Sequence, residues 1–320
     1  MQSEQERTIE ERQPIGVISI GRNDIHLLVA TSDGITTFER QVNQSMLAEL
    51  VGAVQGGVVP IKALYHALRD LQTLVTAGRV AGTTTIIAIA TEELREVANG
   101  SSFVELVSAT LGIQASLISG QEEAALDFCW ATFPPVPQIP VLVVDSGGGS
   151  TQVLLVEGPT PTFAKSLPNG AGNMTQQFLA HDPPTKKELQ VLKDHIAARL
   201  DTLPHVIPPR SAVLMGGSAD NLLQFVADPT KEIVTQDDLQ QALYKLQKKS
   251  SKKIAHDYHL LVERARLLPA GAVILAHVLS RYGLDEAHVK ANGIRGGMVV
   301  SYAGHGENWR QALPLPPATD

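Results

Sequence analysis

The sequence predicts an α/β protein made of two similar halves. Short apolar runs rich in β-branched residues alternate with segments of helical periodicity along most of the chain, as expected of strands connected by helices. A proline-rich stretch, residues 134–140, breaks this alternation near the middle. A strand–turn–strand pattern at the start of the chain recurs directly after the prolines. The 320 residues suffice for two domains of ordinary size.

The first half is predicted as a domain over residues 14–133, after a charged tail over 1–13 that we expect to be disordered. Its apolar runs and turn residues predict five strands, namely Ile15–Ile20, Ile25–Ala30, one near Ile35–Val42, Thr84–Ala90 and Ala115–Ile118. Apolar residues at +3 and +4 spacing predict three helices, namely 61–75, 103–111 and one from about Gln121 to Phe133.

The second half, predicted as a domain over residues 141–304, follows the proline-rich hinge. Its predicted strands are Val141–Val144, Thr151–Val156, Thr162–Leu167, Ala212–Met215 and His288–Ala291. Its predicted helices are Lys186–Leu200, 239–246, Pro269–Leu279 and one from Arg295. Pro269 is expected in a first turn, where its missing N–H costs nothing. The last residues, 305–320, contain several prolines and are expected to be a loose tail.

The two halves share one supersecondary unit. Aligning Ser19 with Asp145 also superposes the apolar runs Ile25–Ala30 and Thr151–Val156, and it brings the glycines of the two turns together. A chance likeness between two β-hairpins is the alternative. If the likeness is real, the chain is an internal duplication hinged at the prolines.

The composition narrows the function classes. A single cysteine, Cys129, rules out a disulfide framework and a cysteine-rich zinc site, and such cysteine poverty fits a reducing compartment. No apolar run approaches the roughly 20 residues that span a bilayer, and the charged N-terminus lacks the apolar core of a secretory signal. We therefore expect a cytoplasmic protein with no membrane partner. The formal net charge of −7 disfavours nucleic acid as a partner, so a polyanionic ligand must be attracted locally.

The turn that follows Asp145 is the most informative feature of the sequence. Three consecutive glycines, 147–149, lie between two predicted strands, where they let the backbone approach a ligand closely. Successive backbone N–H groups in such a turn suit phosphate oxygens, and Ser150 and Thr151 add hydroxyl donors. Asp145 at the strand end is suited to a divalent cation or its water shell. The alternative is a tight hairpin with no ligand.

Three further features have a structural explanation beside the functional one. Gly216 and Gly217 follow a predicted strand and form a second candidate cradle, although close helix–strand packing explains a glycine pair equally well. Glu122 and Glu123 begin a predicted helix, where carboxylates favour the helix dipole whatever their chemistry. The lysine run over Lys245–Lys253 is basic enough to guide a polyanion, but a basic helix end is usually a solvated face.

Taken together, the motifs resemble those of the exopolyphosphatase / guanosine-pentaphosphate phosphatase (Ppx/GppA) family, from about Ile15 to Tyr302. The matching segments are VLVVDSGGGSTQV at 141–153, ATEELR at 90–95, ISGQEEA at 118–124, SLPNGA at 166–171, GGSA at 216–219, LPAGA at 268–272 and GIR at 293–295. Several ordered motifs at plausible spacing make the resemblance specific.

The resemblance implies two ribonuclease-H-like (actin-like) domains with mixed sheets flanked by helices and a cleft between them, assembled as a homodimer. It also implies hydrolysis of the terminal phosphoanhydride bond of inorganic polyphosphate or guanosine pentaphosphate, with Mg²⁺ or Mn²⁺ as cofactor. Such a reaction depends on positioning and charge stabilisation, which the residue types in the motifs can supply.

Residue roles are carried over position by position. Glu123 would activate the attacking water, and Arg95 would neutralise charge on the transferred group. Asp145 would bind the metal, with Gln152 as a weaker ligand. The implied phosphate-binding residues are Gly147, Gly148, Gly149, Ser150, Thr151, Gly21, Asn23, Gly216 and Gly217.

The chain departs from the family pattern at charged positions. Ser19 and Gln152 stand where carboxylates are expected, Ala125 and Asn173 where arginines are common, and Gly296 where the family has Glu. One arginine at such a site can be worth about 10³-fold or more in rate. Two functions therefore stay open, a metal-dependent hydrolase and a catalytically weakened regulatory protein that binds polyphosphate or a nucleotide. A sugar-kinase-like function is disfavoured, since no sugar-specific motif is visible.

Overall fold

The structure is a computed structural model that describes residues 12–22, 24–47, 50, 54, 56–134, 140–203, 208–226 and 232–316. The chain divides into two compact units. The first runs to residue 137 and also includes Ile294–Leu315, and the second runs from 138 to Gly293. Each unit is a mixed β-sheet flanked by helices, which confirms the predicted fold class.

The first unit contains a five-stranded sheet in the order β3-β2-β1-β4-β5. Its strands are β1 (Ile15–Ile20), β2 (Asp24–Ser32), β3 (Phe38–Leu47), β4 (Thr85–Ala90) and β5 (Gln114–Leu117). Its helices are α1 (Ile61–Val80), α2 (Glu92–Arg95), α3 (Gly100–Leu111) and α4 (Gly120–Ala131). The central strands β1 and β4 are parallel and almost fully buried, as expected of a sheet covered on both faces.

The second unit contains a six-stranded sheet in the order β10-β11-β9-β6-β7-β8. Its strands are β6 (Val141–Ser146), β7 (Thr151–Val156), β8 (Pro161–Leu167), β9 (Ser211–Met215), β10 (Ile233–Thr235) and β11 (Glu286–Val289). Its helices are α5 (Ala171–Phe178), α6 (Lys186–Leu200), α7 (Gly216–Val226), α8 (Gln236–Leu246), α9 (Ser251–Tyr258) and α10 (Val262–Arg281). The largely buried α10 lies in the core of this unit.

The strand–turn–strand unit predicted for both halves is present twice, with the same strand register. In the first hairpin Ile15 pairs with Ala30 and Ser19 with His26. The second hairpin repeats these pairs 126 positions later, as Val141 with Val156 and Asp145 with Gln152. The same offset relates the parallel neighbours, because 15 pairs with 85 and 141 pairs with 211. Each turn therefore occupies the same place at the end of a central strand.

One predicted helix start is wrong. The helix that contains Pro269 begins at Val262, so the proline lies inside α10 and not in its first turn. The upstream turns were hard to recognise because Glu263, Arg264 and Arg266 interrupt the apolar pattern. The buried surroundings of α10 hold the helix together across a position that has no N–H to donate.

The structure differs from the predicted domain bounds at the C-terminal end. Helix α11 (Gly293–His305), predicted within the second domain, packs from Ile294 onward into the first unit, where Met298 and Val299 are buried against Leu126 of α4. The expected loose tail from 305 is ordered as far as it is described, because Trp309 and Leu313 are buried in the same core.

The remaining predicted bounds fall partly outside the described residues. Residues 1–11, 135–139 and 317–320 are among those left undescribed, so the disordered start, most of the hinge over 134–140 and the end of the tail stay predictions. No helix among the described residues is long and apolar enough to cross a lipid bilayer.

Candidate functional site

The predicted site residues that the structure describes lie at or near the ends of strands and helices in both units. Gly21, Arg95 and Glu123 belong to the first unit, and Asn23 lies outside the described residues. The residues predicted in the second unit are Asp145, Gly147, Gly148, Gly149, Ser150, Thr151, Gln152, Gly216 and Gly217.

The glycine turn over 147–150 packs directly on the start of α5. The N–H groups of Gly170, Ala171 and Gly172 donate to the carbonyl oxygens of Gly149, Gly147 and Gly148 at 2.7, 2.9 and 2.8 Å. A Cβ atom at position 170 would stand 2.3 Å from the carbonyl carbon of Gly149, so this close packing requires glycine there. The N–H groups at the start of α5, which have no partner within the helix, thus bind the carbonyls of the glycine turn and hold it in place.

This packing fixes the direction of the turn's amides. In a trans peptide the C=O and the following N–H point to opposite sides. Because the carbonyls of residues 147–149 point at α5, the N–H groups of Gly148, Gly149 and Ser150 point away from it. The Gly147 N–H, which the sequence also suggested as a phosphate donor, instead donates to the Ser150 carbonyl at 3.0 Å. The amides suited to an anion are therefore those of 148–150.

Buried hydroxyl and amide groups support the turn from behind. Thr151 Oγ1 donates to the Asn169 carbonyl at 3.1 Å and lies 3.3 Å from Ser146 Oγ. Gln152 is 2% exposed, and its Nε2 donates to the hydroxyls of Ser150 and Ser166 at 2.9 and 3.1 Å. Gln152 therefore orients Ser150 by donating a hydrogen bond to its hydroxyl. A carboxylate at this position would have to accept a hydrogen bond from that hydroxyl instead.

Asp145 lies at the end of β6 between two glycines. Asp145 is 8% exposed. A Cβ atom at Gly216 would stand 2.2 Å from Oδ1, and one at Gly293 would stand 2.7 Å from Oδ2. Both glycines have positive φ angles, +83° and +47°. Any side chain at either position would occupy the space of the carboxylate, so the two glycines make room for Asp145.

The Asp145 carboxylate fits a divalent cation that needs few protein ligands, such as Mg²⁺. The described residues contain no group of three or more His, Cys, Asp or Glu side chains able to enclose a metal ion. Mg²⁺ is commonly held by one or two carboxylates, with water and substrate phosphates completing its shell. Asp145 beside the glycine turn suits that arrangement. Gln152 would add an uncharged oxygen at most.

Glu123 lies in the first turn of α4, which begins with a capping box. Ser119 Oγ accepts from the Glu122 N–H, and the Glu122 carboxylate accepts from the Ser119 N–H. Glu123 is 6% exposed, and its Oε2 accepts from both terminal nitrogens of Arg95 at 3.3 Å. Arg95 also donates to the Ile118 carbonyl. The arginine predicted to face a phosphate thus also binds and orients the predicted base.

A second arginine of the first unit contacts the residue that corresponds to Asp145. Arg295 Nη1 donates to Ser19 Oγ at 3.0 Å. Ser19 stands at the position equivalent to Asp145 and is 6% exposed. The next residue, Gly296, faces Trp130, because a Cβ atom there would stand 2.4 Å from the indole ring. A glutamate at 296 would not fit beside this tryptophan.

The sequence analysis did not reveal what several residues of the site contact. Asn173, at a position where the resemblance implies an arginine, donates from Nδ2 to the Gly149 carbonyl at 2.7 Å. Gly170 and Gly293 are required by close approach, which an isolated glycine does not reveal. A pocket of 370 Å³ adjoins the turn on this side and is lined by Pro168, Asn169, Asn173, Met174, Gln176, Gln177, His195 and Arg199. Burial and the charge of Arg199 lower the pKa of His195.

The lysine run is largely engaged with neighbouring side chains. It spans the end of α8 and the start of α9, where Lys249 and Lys253 bind Asp257 at 3.0 and 2.8 Å. Lys248 lies over the Tyr244 ring at 3.7 Å. These contacts favour the solvated-face explanation of the run over polyanion guidance.

Comparison with known proteins adds to this geometry. Residues 52–305 match the model of the Ppx/GppA phosphatase family. The chain is 27% identical to exopolyphosphatase 2 of Mycobacterium tuberculosis over 322 residues, covering 91% of this chain and 98% of that protein. It is 27% identical to exopolyphosphatase 1 of the same organism over 213 residues, covering 64% of this chain and 59% of that protein.

The fold is shared with solved structures. A Ppx/GppA family member from Aquifex aeolicus superposes with a TM-score of 0.75 at 23% identity, covering 90% of this chain and 97% of that one. An exopolyphosphatase from Cytophaga hutchinsonii superposes with a TM-score of 0.78 at 19% identity, covering 91% and 98%. At these identities the likeness shows the fold alone.

Proposed function

Because this chain belongs to the Ppx/GppA phosphatase family, we propose that it hydrolyses the terminal phosphoanhydride bond of inorganic polyphosphate or guanosine pentaphosphate. The mycobacterial relatives bear the name exopolyphosphatase, which supports the first substrate. The observation that carries the proposal is the glycine turn, whose carbonyls are bound by α5 so that three successive amides point the other way.

The turn supplies donors for a terminal phosphate. The N–H groups of Gly148, Gly149 and Ser150 form a concave set of fixed dipoles, and such nests bind phosphate oxygens. They are held by α5 before any ligand arrives, so no reorganisation is needed when charge builds up in the transition state. The Ser150 hydroxyl, oriented by Gln152, adds a further donor.

Glu123 acts as the general base in this proposal. Its carboxylate takes a proton from water as the water oxygen attacks the terminal phosphorus, and the bridging oxygen departs with the electrons of the broken P–O bond. Arg95 fixes the orientation of Glu123 through two contacts at 3.3 Å. The products are inorganic phosphate and a substrate shortened by one phosphate.

Mg²⁺ or Mn²⁺ would be held by Asp145, as proposed from the fit of a single carboxylate flanked by glycines. When bound, such a cation neutralises charge on the phosphate oxygens and the leaving group. Homodimer formation and the use of guanosine pentaphosphate remain predictions from the resemblance, and cytoplasmic location remains a prediction from the composition.

A second candidate function is a catalytically weakened protein that binds polyphosphate or a nucleotide and acts by regulation. The contact between Arg295 and Ser19 favours it, because a hydroxyl stands at the position equivalent to Asp145 and brings no charge to a cation. Gln152 and Asn173 likewise serve the turn as neutral hydrogen-bonding groups.

The deciding experiment measures phosphate release from polyphosphate and from guanosine pentaphosphate with Mg²⁺ or Mn²⁺. Wild type should release phosphate, and Glu123→Gln, which keeps the size of the side chain, should lose at least about 100-fold in kcat. Equal phosphate release by both proteins would rule out the hydrolase function. Calorimetric titration of the same ligands into Glu123→Gln then tests the binding protein, and an absence of heat would remove that candidate as well.

A further inference from the structure

Two arginines from distant parts of the chain bind the segment that carries Glu123. Arg95 donates to the Ile118 carbonyl and to Glu123. Arg310, from the segment after α11, donates from Nη2 to the neighbouring Leu117 carbonyl at 2.7 Å and from Nε to the Glu122 carboxylate. The connection from β5 to α4 is therefore held at two successive carbonyls and two successive carboxylates.

Arg310 is itself fixed by its neighbours in the chain. Trp309 and Leu313 on either side are 6% and 7% exposed and belong to the core that contains Leu126 of α4. Upstream, the Glu307 carboxylate accepts from Gln114 Nε2 at 2.7 and 2.8 Å and from the Tyr302 hydroxyl at 2.8 Å. The segment over 306–313 therefore presents Arg310 from a fixed backbone.

Glu122 links Arg310 to the start of α4. One carboxylate oxygen closes the capping box with the Ser119 N–H at 2.7 Å, and the other accepts from Arg310. Burial raises the pKa of Glu122, but the hydrogen bonds from Ser119 and Arg310 outweigh burial and hold the pKa below its ordinary value. The carboxylate therefore stays charged at neutral pH, and the next residue along the helix is Glu123.

We propose that Arg310 is a positioning residue for Glu123. By binding the Leu117 carbonyl and the Glu122 carboxylate, it fixes where α4 begins and hence the direction from which the Glu123 carboxylate reaches water. This inference rests on the proposed role of Glu123 as the base. Catalytic groups must be held within fractions of an ångström, and a small misplacement costs rate more than substrate affinity.

The test compares Arg310→Met with Arg79→Met. Methionine keeps the apolar packing beside Trp309 and removes the donors. The control removes a similar arginine-to-carbonyl hydrogen bond in the same unit, from Arg79 Nη2 to the Leu111 carbonyl at 3.0 Å, and this bond lies outside residues 117–123. With polyphosphate, Arg310→Met should lower kcat about tenfold with KM within about twofold. Arg310→Lys, which keeps a cation, should recover part of the loss, and Arg79→Met should keep the wild-type kcat.

Amide hydrogen exchange of residues 119–123 gives a readout that needs no activity. Exchange should be about tenfold faster in Arg310→Met than in wild type, and unchanged in Arg79→Met. Unchanged exchange in Arg310→Met, or an equal loss of kcat in both variants, would overturn the positioning role. If wild type and Glu123→Gln release phosphate equally slowly, the proposed function fails, and the exchange of 119–123 alone then decides whether Arg310 holds this segment.

Discussion

Asn173 Nδ2 lies 2.7 Å from the carbonyl oxygen of Gly149, so an asparagine at a position where the resemblance implies arginine holds the glycine turn in place. The Asn173 backbone N–H donates to the neighbouring Gly148 carbonyl at 3.0 Å. Compared with an arginine, the asparagine carries no charge and holds the turn through two hydrogen bonds. In the proposed function, phosphate binding at this turn would therefore depend on its backbone amides.

Asn173→Ala should weaken phosphate binding by loosening that turn. Loss of one hydrogen bond to a part-buried carbonyl should cost about 1 kcal/mol of unfolding free energy. We expect Kd for tripolyphosphate, measured by calorimetry on Glu123→Gln to avoid turnover, to rise about fivefold. The control is Gln190→Ala, an exposed position on α6 away from the turn, which should leave Kd unchanged. Equal affinities in all three proteins would contradict the bracing role.

Gly293→Ala should impair the Asp145 site far more than its backbone strain explains. An alanine at 293 has φ near +47° and places its Cβ 2.7 Å from Asp145 Oδ2. Gly283→Ala is the matched control, because Gly283 also has a positive φ, +68°, and a Cβ atom added there would meet no other atom within 4 Å among the described residues.

Both alanine variants should lose about 1–2 kcal/mol of unfolding free energy from the left-handed backbone. Only Gly293→Ala should also raise the Mg²⁺ concentration needed for half-maximal phosphate release, by about tenfold or more. A similar Mg²⁺ dependence of the two variants would show that Asp145 does not hold the cation.

Ser19→Asp should restore part of a charged site. Arg295 Nη1, 3.0 Å from the serine hydroxyl, is ready to pair with a carboxylate, so the buried charge would have a partner. We expect the variant to fold with a Tm close to that of wild type and to show faster Mg²⁺-dependent phosphate release, by about tenfold. Ser19→Asn controls for size. Equal rates for the Asp and Asn variants would show that charge at position 19 is immaterial.

Glu188 should make the stability of the second unit depend on acid pH. Burial raises its pKa, but hydrogen bonds from Thr185 and His181 outweigh burial and lower the pKa from 4.5 to about 2. Because the folded-state pKa is the lower one, the stabilisation is complete above the unfolded value of 4.5 and is lost as pH falls towards 2.

Thermal unfolding of Glu188→Gln checks this expectation. The Tm deficit of the variant relative to wild type should be constant above about pH 5.5 and shrink steadily as pH falls from 4.5 to about 2. A deficit that stays the same across this range would mean that the capping contacts, and not the charge, account for the effect of Glu188.

The sequence predicted the strand framework better than the C-terminal segment that follows α11. Register was accessible because Ser19 and Asp145 end similar apolar runs, and the equal length of the two turns fixes the pairing. The ordered segment over 306–313 was missed because nearby prolines dominate the pattern, while the burial of Trp309 depends on contacts with α4 that are distant in sequence.

The sequence predicted which residue types form the candidate site, but not the directions in which their amides and side chains point. The glycine turn and Asp145 were visible as a motif, but which amides point outward depends on α5, a helix that the sequence pattern did not predict. Likewise, Arg95 was recognised by its motif, while its contact with Glu123 depends on how α2 and α4 meet in the folded unit.

The equal register of the two hairpins extends to the length of the segments that connect each hairpin to the next parallel strand. The same number of residues separates Ala30 from Thr85 and Val156 from Ser211. The first of these segments contains β3 and α1, and the second contains β8, α5 and α6. The same spacing of the strands is therefore compatible with connecting segments of different architecture. Among the described residues, α5 belongs to the second segment alone, so the helix that holds the glycine turn is accommodated without any change in the length of the crossover.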